Sequence, residues 1–303
     1  MKSPLRSAET IRIDGPSGPL EGTLQPVDDA GHIVLIIPGS GPVDRDGNSP
    51  GLELATDSYR LLAEGLAAEG IASIRVDKRG LFGSAAPGTD PNDVTIGAYA
   101  DDALAWIGRA TEWAPMVWLA GHSEGGLVAL ETARRAPNGA LGGLMLLATA
   151  GRPMGRLLVE QLRVVPGNAA LMPEIEATVD ALESGRRLPE SSLSPPLRSL
   201  FSDTLQGYLV DLFAKDPVAL AKHWSGPTLI LQGDADLQVK PLDAQLLNAA
   251  LPQADCRILG GVTHMLKADV PGNPYATYTD PTLPLHADII PTLVAAIKGT
   301  AGR

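Results

Sequence analysis

The sequence predicts an α/β protein: a mostly parallel, doubly wound sheet with an N-terminal β-hairpin and an inserted helical cap. Three observations carry this. Short apolar runs at 32–37, 71–77, 116–120, 144–148 and 227–233 alternate with helix-period text, the pattern of strands joined by crossover helices. The run at 116–120 is wholly apolar and that at 32–37 is β-branched and continuous, which fits strands covered on both faces. The alternation then stops from about Gly151 to Ser225, where helical stretches are broken by prolines at 166, 173, 189, 195 and 196. The chain accordingly divides into a core domain, residues 1–150 and 226–303, and a helical cap or lid, residues 151–225.

In order, residues 9–25 read as a hairpin turning at Gly15-Pro16-Ser17-Gly18. His32–Ile37 is β-branched and continuous, as a central strand should be, and runs into the turn-rich loop 38–48. A helix over 55–70 stops at Gly70, and the strand 71–77 leads to the loop 78–84. A long helix covers 95–113, with apolar positions at Ile96, Tyr99, Ala103, Trp106 and Ile107. Within the cap, helices are expected over 154–164, 174–184 and 200–213. The core resumes at 227–233, followed by a helix near 241–251, a core strand at Ala254–Leu259 and a final helix near 285–298, which His286 opens.

Bulk properties narrow the function. A net charge of −11, with no basic block and no aromatic ladder, argues against a nucleic-acid partner. No run of about eighteen apolar residues exists to cross a membrane, and Met1–Ser7 lacks the apolar stretch of a secretory signal, so a cytoplasmic protein is expected. Cys256 is the only cysteine, which rules out an intrachain disulfide, and inside an apparent core strand it is a weak nucleophile. A homo-oligomer is compatible with all of this.

The chemistry centres on Gly121-His122-Ser123-Glu124-Gly125. An apolar strand precedes Ser123 and a helix follows it, the setting in which G-x-S-x-G forms a tight strained turn that lifts the serine hydroxyl clear of the sheet. A serine hydroxyl needs a base, and the base an orienting acid. Of five histidines, His264 follows the last strand, and in a parallel sheet such loops gather at the same edge as Ser123. For the acid, Asp236 lies deeper in the loop after the penultimate strand than Asp234, which is placed to stabilise the turn. An oxyanion needs two donors: the backbone N–H of Glu124, and that of Ser40 in Gly39-Ser40-Gly41. The same loop lacks the Lys-Ser/Thr ending of a phosphate cradle. The Glu124 side chain is expected to turn away from the site and complement the helix dipole. Asp44-Arg45-Asp46 reads as an ion-pair and turn network bracing this loop, with a grip on a substrate carboxylate as the alternative. No third ligand at calcium-loop spacing joins Asp44 and Asp46, so no metal is expected. Met154, Leu157, Leu158, Leu162, Leu209 and Phe213 either roof the acyl site or bury the cap's own core.

With these residues assembled, the chain resembles an α/β-hydrolase fold serine esterase over nearly its whole length. The stretch Gly39-Ser40-Gly41-Pro42-Val43-Asp44-Arg45-Asp46-Gly47 and the elbow are similar to the GSGPxDRDG loop and GHSxGG elbow of a bacterial carboxylesterase subgroup. Arg75–Ser84 matches the family's RxDxRGxGxS pattern except at Phe82, and Ala150-Gly151-Arg152-Pro153 is similar too. Where the family often has His-Gly, this chain has Pro38-Gly39, which leaves the backbone donor intact. The order Ser, Asp, His is the one such hydrolases show. The resemblance implies a carboxylesterase that cleaves short-chain acyl esters without a cofactor; its partner would be a small-molecule ester. Acyl transfer, or peptidase or amidase action, on the same residues, and a non-catalytic ligand-binding member of the fold, are the alternatives.

Overall fold

The computed structural model describes residues 6–86 and 90–300. Residues 1–5, in which the signal segment was sought, lie outside the described residues. The hairpin forms as expected: β1 (Glu9–Gly15) and β2 (Gly18–Gln25) pair antiparallel, Gly15 opposite Gly18. Then follow β3 (His32–Ile37), α1 (Ser58–Ala68), β4 (Ala72–Val76), α2 (Ile96–Ala110), β5 (Met116–His122), α3 (Glu124–Arg135) and β6 (Gly143–Leu147). Next come four helices without an intervening strand: α4 (Met154–Arg163), α5 (Met172–Glu183), α6 (Gln206–Phe213) and α7 (Pro217–Ala221). The chain continues through β7 (Thr228–Gly233), α8 (Pro241–Ala250), β8 (Asp255–Leu259), α9 (Ala276–Thr279) and α10 (Ile289–Thr300).

Among the described residues the strands form one sheet in the order β1-β2-β4-β3-β5-β6-β7-β8. Pairing is parallel from β4 to β8 and antiparallel where β1 and β2 join. This is the α/β-hydrolase sheet the sequence leads one to expect. The continuous apolarity of β3 has its cause in the two faces. Ile33, Leu35 and Ile37 pack with Leu127 and Leu130 of α3 on one side, while Val34 and Ile36 pack with Leu62 of α1 and Leu293 of α10 on the other. Because the central strands run parallel, the loops after β3, β4, β5, β6, β7 and β8 open on one edge, where the site is found.

Several boundaries differ from expectation for identifiable reasons. α1 starts only at Ser58, because Thr56 and Asp57 give their backbone N–H groups to Asn48 Oδ1 at 2.7 and 2.9 Å. The helix expected over 200–213 is confined to Gln206–Phe213; the buried Gln206 amide spends its hydrogen bonds on the backbone of Leu188 and Phe201, which stabilises the irregular run before it. α10 begins three residues after His286. The strand at Cys256 is not a core strand. β8 is the sheet's last strand, paired with β7, and leaves Asp255, Arg257 and Ile258 exposed. Phe82, standing where the resembled pattern has glycine, adopts φ 47°, a left-handed backbone that explains why glycine suits that position.

The segment between β6 and β7 contributes Ile175, Val179, Leu182, Phe201 and Leu212 to the same apolar cluster as Leu35 and Leu119 of the sheet. Entry to this segment is bolted down by one carboxylate. Asp243 accepts from the N–H groups of Gly151 and Arg152 at 3.1 and 3.2 Å, and from Arg152 Nη2 at 2.8 Å. No helix among the described residues is long and apolar enough to cross a membrane.

Candidate active site

Ser123 sits between β5 and α3 with φ 55° and ψ −121°, a region that non-glycine residues enter only when their surroundings force them. The forcing is steric and can be traced to the flanking glycines. A Cβ on Gly121 would meet Gly125 O at 2.2 Å, one on Gly125 would meet Ile37 O at 2.3 Å, and one on Gly126 would meet Thr149 Oγ1 at 2.0 Å. The turn is therefore folded against its own helix, against the end of β3 and against the β6 loop at once. Ser123 N–H donates to Leu147 O at 2.9 Å, which fastens the elbow to β6.

His264 and Asp236 are brought together as the sequence led one to expect. His264 Nδ1 donates to Asp236 Oδ2 at 2.8 Å, and both side chains are buried. The other carboxylate oxygen, Oδ1, accepts from the N–H groups of Gln238 and Val239 at 2.7 and 2.9 Å, and Gln232 Nε2 donates to Oδ2 at 3.0 Å. Burial alone would raise the Asp236 pKa, but the His264 charge and these donors overcome it and hold the carboxyl below its ordinary value. Asp234 was expected to stabilise its own turn; instead its Oδ1 accepts from Gly261 N–H at 2.7 Å, tying the β7 loop to the β8 loop.

Ser123, His264, Gly39 and Ser40 line one cavity of about 230 Å³, with Val43, Leu54, Tyr59, Met265 and Tyr278 among its walls. Gly39 lies so close to the elbow that a Cβ there would stand 3.3 Å from Ser123 Cβ. Glu124, the first residue of α3, has a backbone N–H among the four that a helix leaves without an internal partner. Its side chain does turn away from the cavity, yet its surroundings differ from the exposed helix end expected. The carboxylate is buried, finds no hydrogen-bond donor among the described residues, and faces Lys78 Nζ at 3.7 Å. Lys78 Nζ in turn donates to Gly39 O at 2.7 Å.

A second chain of bonds that the sequence reading missed runs under the site. Gly39 N–H donates to Tyr59 Oη at 3.0 Å, Tyr59 Oη–H to His122 Nδ1 at 2.8 Å, and His122 Nε2–H to the His264 carbonyl at 2.8 Å. Burial drives the His122 pKa down to about 3 and raises that of the Tyr59 phenol, so both stay neutral and the direction of the chain is fixed. The remaining histidines stand apart from the cavity: His32 on β3, His223 exposed after α7 and His286 before α10.

Two further expectations are resolved. Asp44-Arg45-Asp46 is a bracing network: Asp44 Oδ1 accepts from Asp46 and Asn48 N–H at 2.9 and 2.8 Å. Arg45 pairs with Glu21 and Asp77, and Asp46 with Arg75. None of Met154, Leu157, Leu158, Leu162, Leu209 and Phe213 lines the cavity. They pack into or against the shared apolar clusters, so the roof reading of these six gives way to the core reading. A separate apolar cavity of about 220 Å³ does meet the helical segment, through Leu205 and Tyr208, beside Pro42, Lys78 and Tyr99.

Comparison with known proteins places this geometry in company. The family model described as serine aminopeptidase, S33, matches residues 49–269, a span that contains Ser123, Asp236 and His264 but not Ser40. The esterase EstD of Thermotoga maritima is 28% identical over 220 residues, covering 70% of this chain and 48% of the relative; the chain spans about half the length of that curated protein. Among solved structures, the α/β hydrolase GrgF from Penicillium sp. superposes with a TM-score of 0.63 at 16% identity, over 98% of this chain and 100% of that one. A thermophilic esterase from Thermogutta terrifontis gives 0.59 at 18% identity, over 96% and 99%. At such identities the structural likeness speaks for the fold.

Proposed function

The chain belongs to the serine aminopeptidase S33 (Hydrolase_4) family, and on that premise we propose that it is a carboxylic ester hydrolase acting on short-chain acyl esters. The observation that carries this is a single one: Ser123 stands on a strained turn in the same cavity as His264, whose ring is held by the buried Asp236. Ser123 Oγ attacks the ester carbonyl carbon while His264 Nε2 takes its proton. Asp236 keeps the Nδ1 proton in place and offsets the imidazolium charge. The Ser40 and Glu124 N–H groups receive the oxyanion. As the tetrahedral intermediate collapses, the imidazolium protonates the departing alcohol, and a water activated by the same histidine hydrolyses the acyl enzyme. A cavity of about 230 Å³ is below the usual span for drug-sized ligands, roughly 300 Å³ upward, which favours a short acyl chain. On this reading the helical segment 151–225 acts as a lid from beside the site, over the neighbouring cavity that Leu205 and Tyr208 line.

Hydrolysis of a p-nitrophenyl ester series from acetate to decanoate by wild type and Ser123→Ala tests the proposal. Turnover should peak at the short esters and vanish in the variant; a folded, active Ser123→Ala protein sinks it. The family description favours one rival, aminopeptidase action on the same residues. Faster turnover of aminoacyl p-nitroanilides than of the esters would favour that rival.

A further inference from the structure

Lys78 and Glu124 are buried charges for which the proposed mechanism has no use. A buried ion pair is seldom the most stable way to fill a core, so its position needs another reason. Lys78 Nζ donates to the Gly39 carbonyl at 2.7 Å. That carbonyl and the Ser40 N–H belong to one peptide unit, and in a planar trans peptide the two point in opposite directions. A donor fixed on the carbonyl side therefore aims the N–H at the other side, where Ser40 borders the cavity. The preceding peptide is held as well, by Gly39 N–H on Tyr59 Oη at 3.0 Å. Gly39 has no side chain to resist rotation, so these two contacts help to oppose a flip of the peptide.

We infer that Lys78 is a positioning residue for both oxyanion donors: it clamps the Gly39–Ser40 peptide, and through Glu124 it ties that peptide to the helix end that supplies the second N–H. The 3.7 Å contact between Lys78 Nζ and the Glu124 carboxylate spans the two donor-bearing segments. A cation on the carbonyl also polarises the amide and makes Ser40 N–H a stronger donor. Around the pair stand the Tyr99 ring, 5.5 Å from Nζ, and the buried Tyr208 hydroxyl, which faces the Glu124 carboxylate.

The inference rests on the hydrolase reading, and the experiment separates the two. Wild type, Lys78→Met and the double variant Lys78→Met/Glu124→Gln are titrated to completion with a fluorophosphonate, so that kcat is expressed per reactive Ser123. Loss of oxyanion stabilisation acts on the transition state, so kcat per site should fall roughly 10²–10³-fold while KM stays within about threefold. A merely structural role would lower the fraction of titratable protein and leave kcat per site intact. If the single variant fails to fold because Glu124 is left without a counter-charge, the double variant decides, since it carries neither buried ion. A double variant within tenfold of the wild-type kcat per site overturns the inference. Wild-type protein that neither reacts at Ser123 nor cleaves a p-nitrophenyl ester brings down the hydrolase reading itself.

Discussion

Ser123 and His264 reach the same cavity by opposite means. The elbow is held by exclusion: three glycines leave no room for a Cβ, and the backbone at Ser123 is pressed into a left-handed conformation. The arm carrying His264 is held by attraction: Asp236 gathers the ring, two backbone N–H groups and an amide around one carboxylate. Steric exclusion leaves a site little freedom and is nearly indifferent to pH. A hydrogen-bonded arm depends on the charge of its members. The two regions should therefore fail differently.

The largest effect should come from Ser123→Gly. Under the proposed mechanism it lowers kcat by roughly 10⁴-fold or more, yet it should raise the melting temperature, because relieving a left-handed backbone is worth about 1 kcal/mol. Activity and thermal unfolding on one preparation check both; a lower melting temperature would mean that the elbow is not strained. On the other arm Asp236→Asn should cost roughly 10³–10⁴ in kcat, and Asp234→Asn far less, since its bond to Gly261 lies outside the cavity. The reverse ranking would move the acid to Asp234.

A smaller effect is expected from crowding the elbow. Gly125→Ala places a methyl 2.3 Å from Ile37 O and should destabilise the fold by about 3 kcal/mol, read as a lower urea midpoint. An unchanged midpoint would show that the turn can open without cost.

The smallest effect is the most discriminating. Native His122 titrates near 3 against an ordinary imidazole value of 6.5, so between those limits the unfolded chain binds a proton that the native state refuses. Stability then rises with pH, and acidification below 6.5 removes up to about 1.4 kcal/mol per pH unit. Asp236 has a depressed pKa, so its contribution is intact above its ordinary 3.8 and is lost only below it. Urea titrations from pH 7 to 5 on wild type and His122→Asn isolate the histidine: the slope should be clearly smaller in the variant, which keeps the contribution of the half-buried His32, also held below its ordinary value by burial. Equal slopes would place the acid sensitivity elsewhere.

How much of this could be read from the sequence follows the same division. The elbow was legible because its geometry is written in consecutive residues, small at 121, 125 and 126 between an apolar strand and a helix. The pairing of His264 with Asp236 was legible through topology, since parallel strands bring their loops to one edge. Lys78 was not, because its partners Gly39 and Glu124 come together only once β3 is known to lie between β4 and β5. Tyr59 and His122 escaped for the same reason, each being ordinary text for a helix and a strand end. Apolar spacing in α4 and α6 shows that a face is buried but not against what, so the six residues read as a roof could equally be core. At β8 a signal was present and outweighed: Asp255 and Arg257 alternate with Cys256 in the manner of an edge strand.

The left-handed backbone at position 123 also limits how this chain can evolve. Threonine is the nearest substitute in hydroxyl chemistry, but its branched Cβ makes it a severe outlier at φ 55°. Cysteine is unbranched, and its longer C–S bond carries the sulfur only slightly farther than the serine oxygen. Of the hydroxyl and thiol nucleophiles that attack carbonyls, the fold admits a thiol in place of Ser123 and shuts out the second alcohol. Under the proposed mechanism one substitution would turn the acyl ester on residue 123 into a thioester, whereas a threonine nucleophile would require rebuilding the turn.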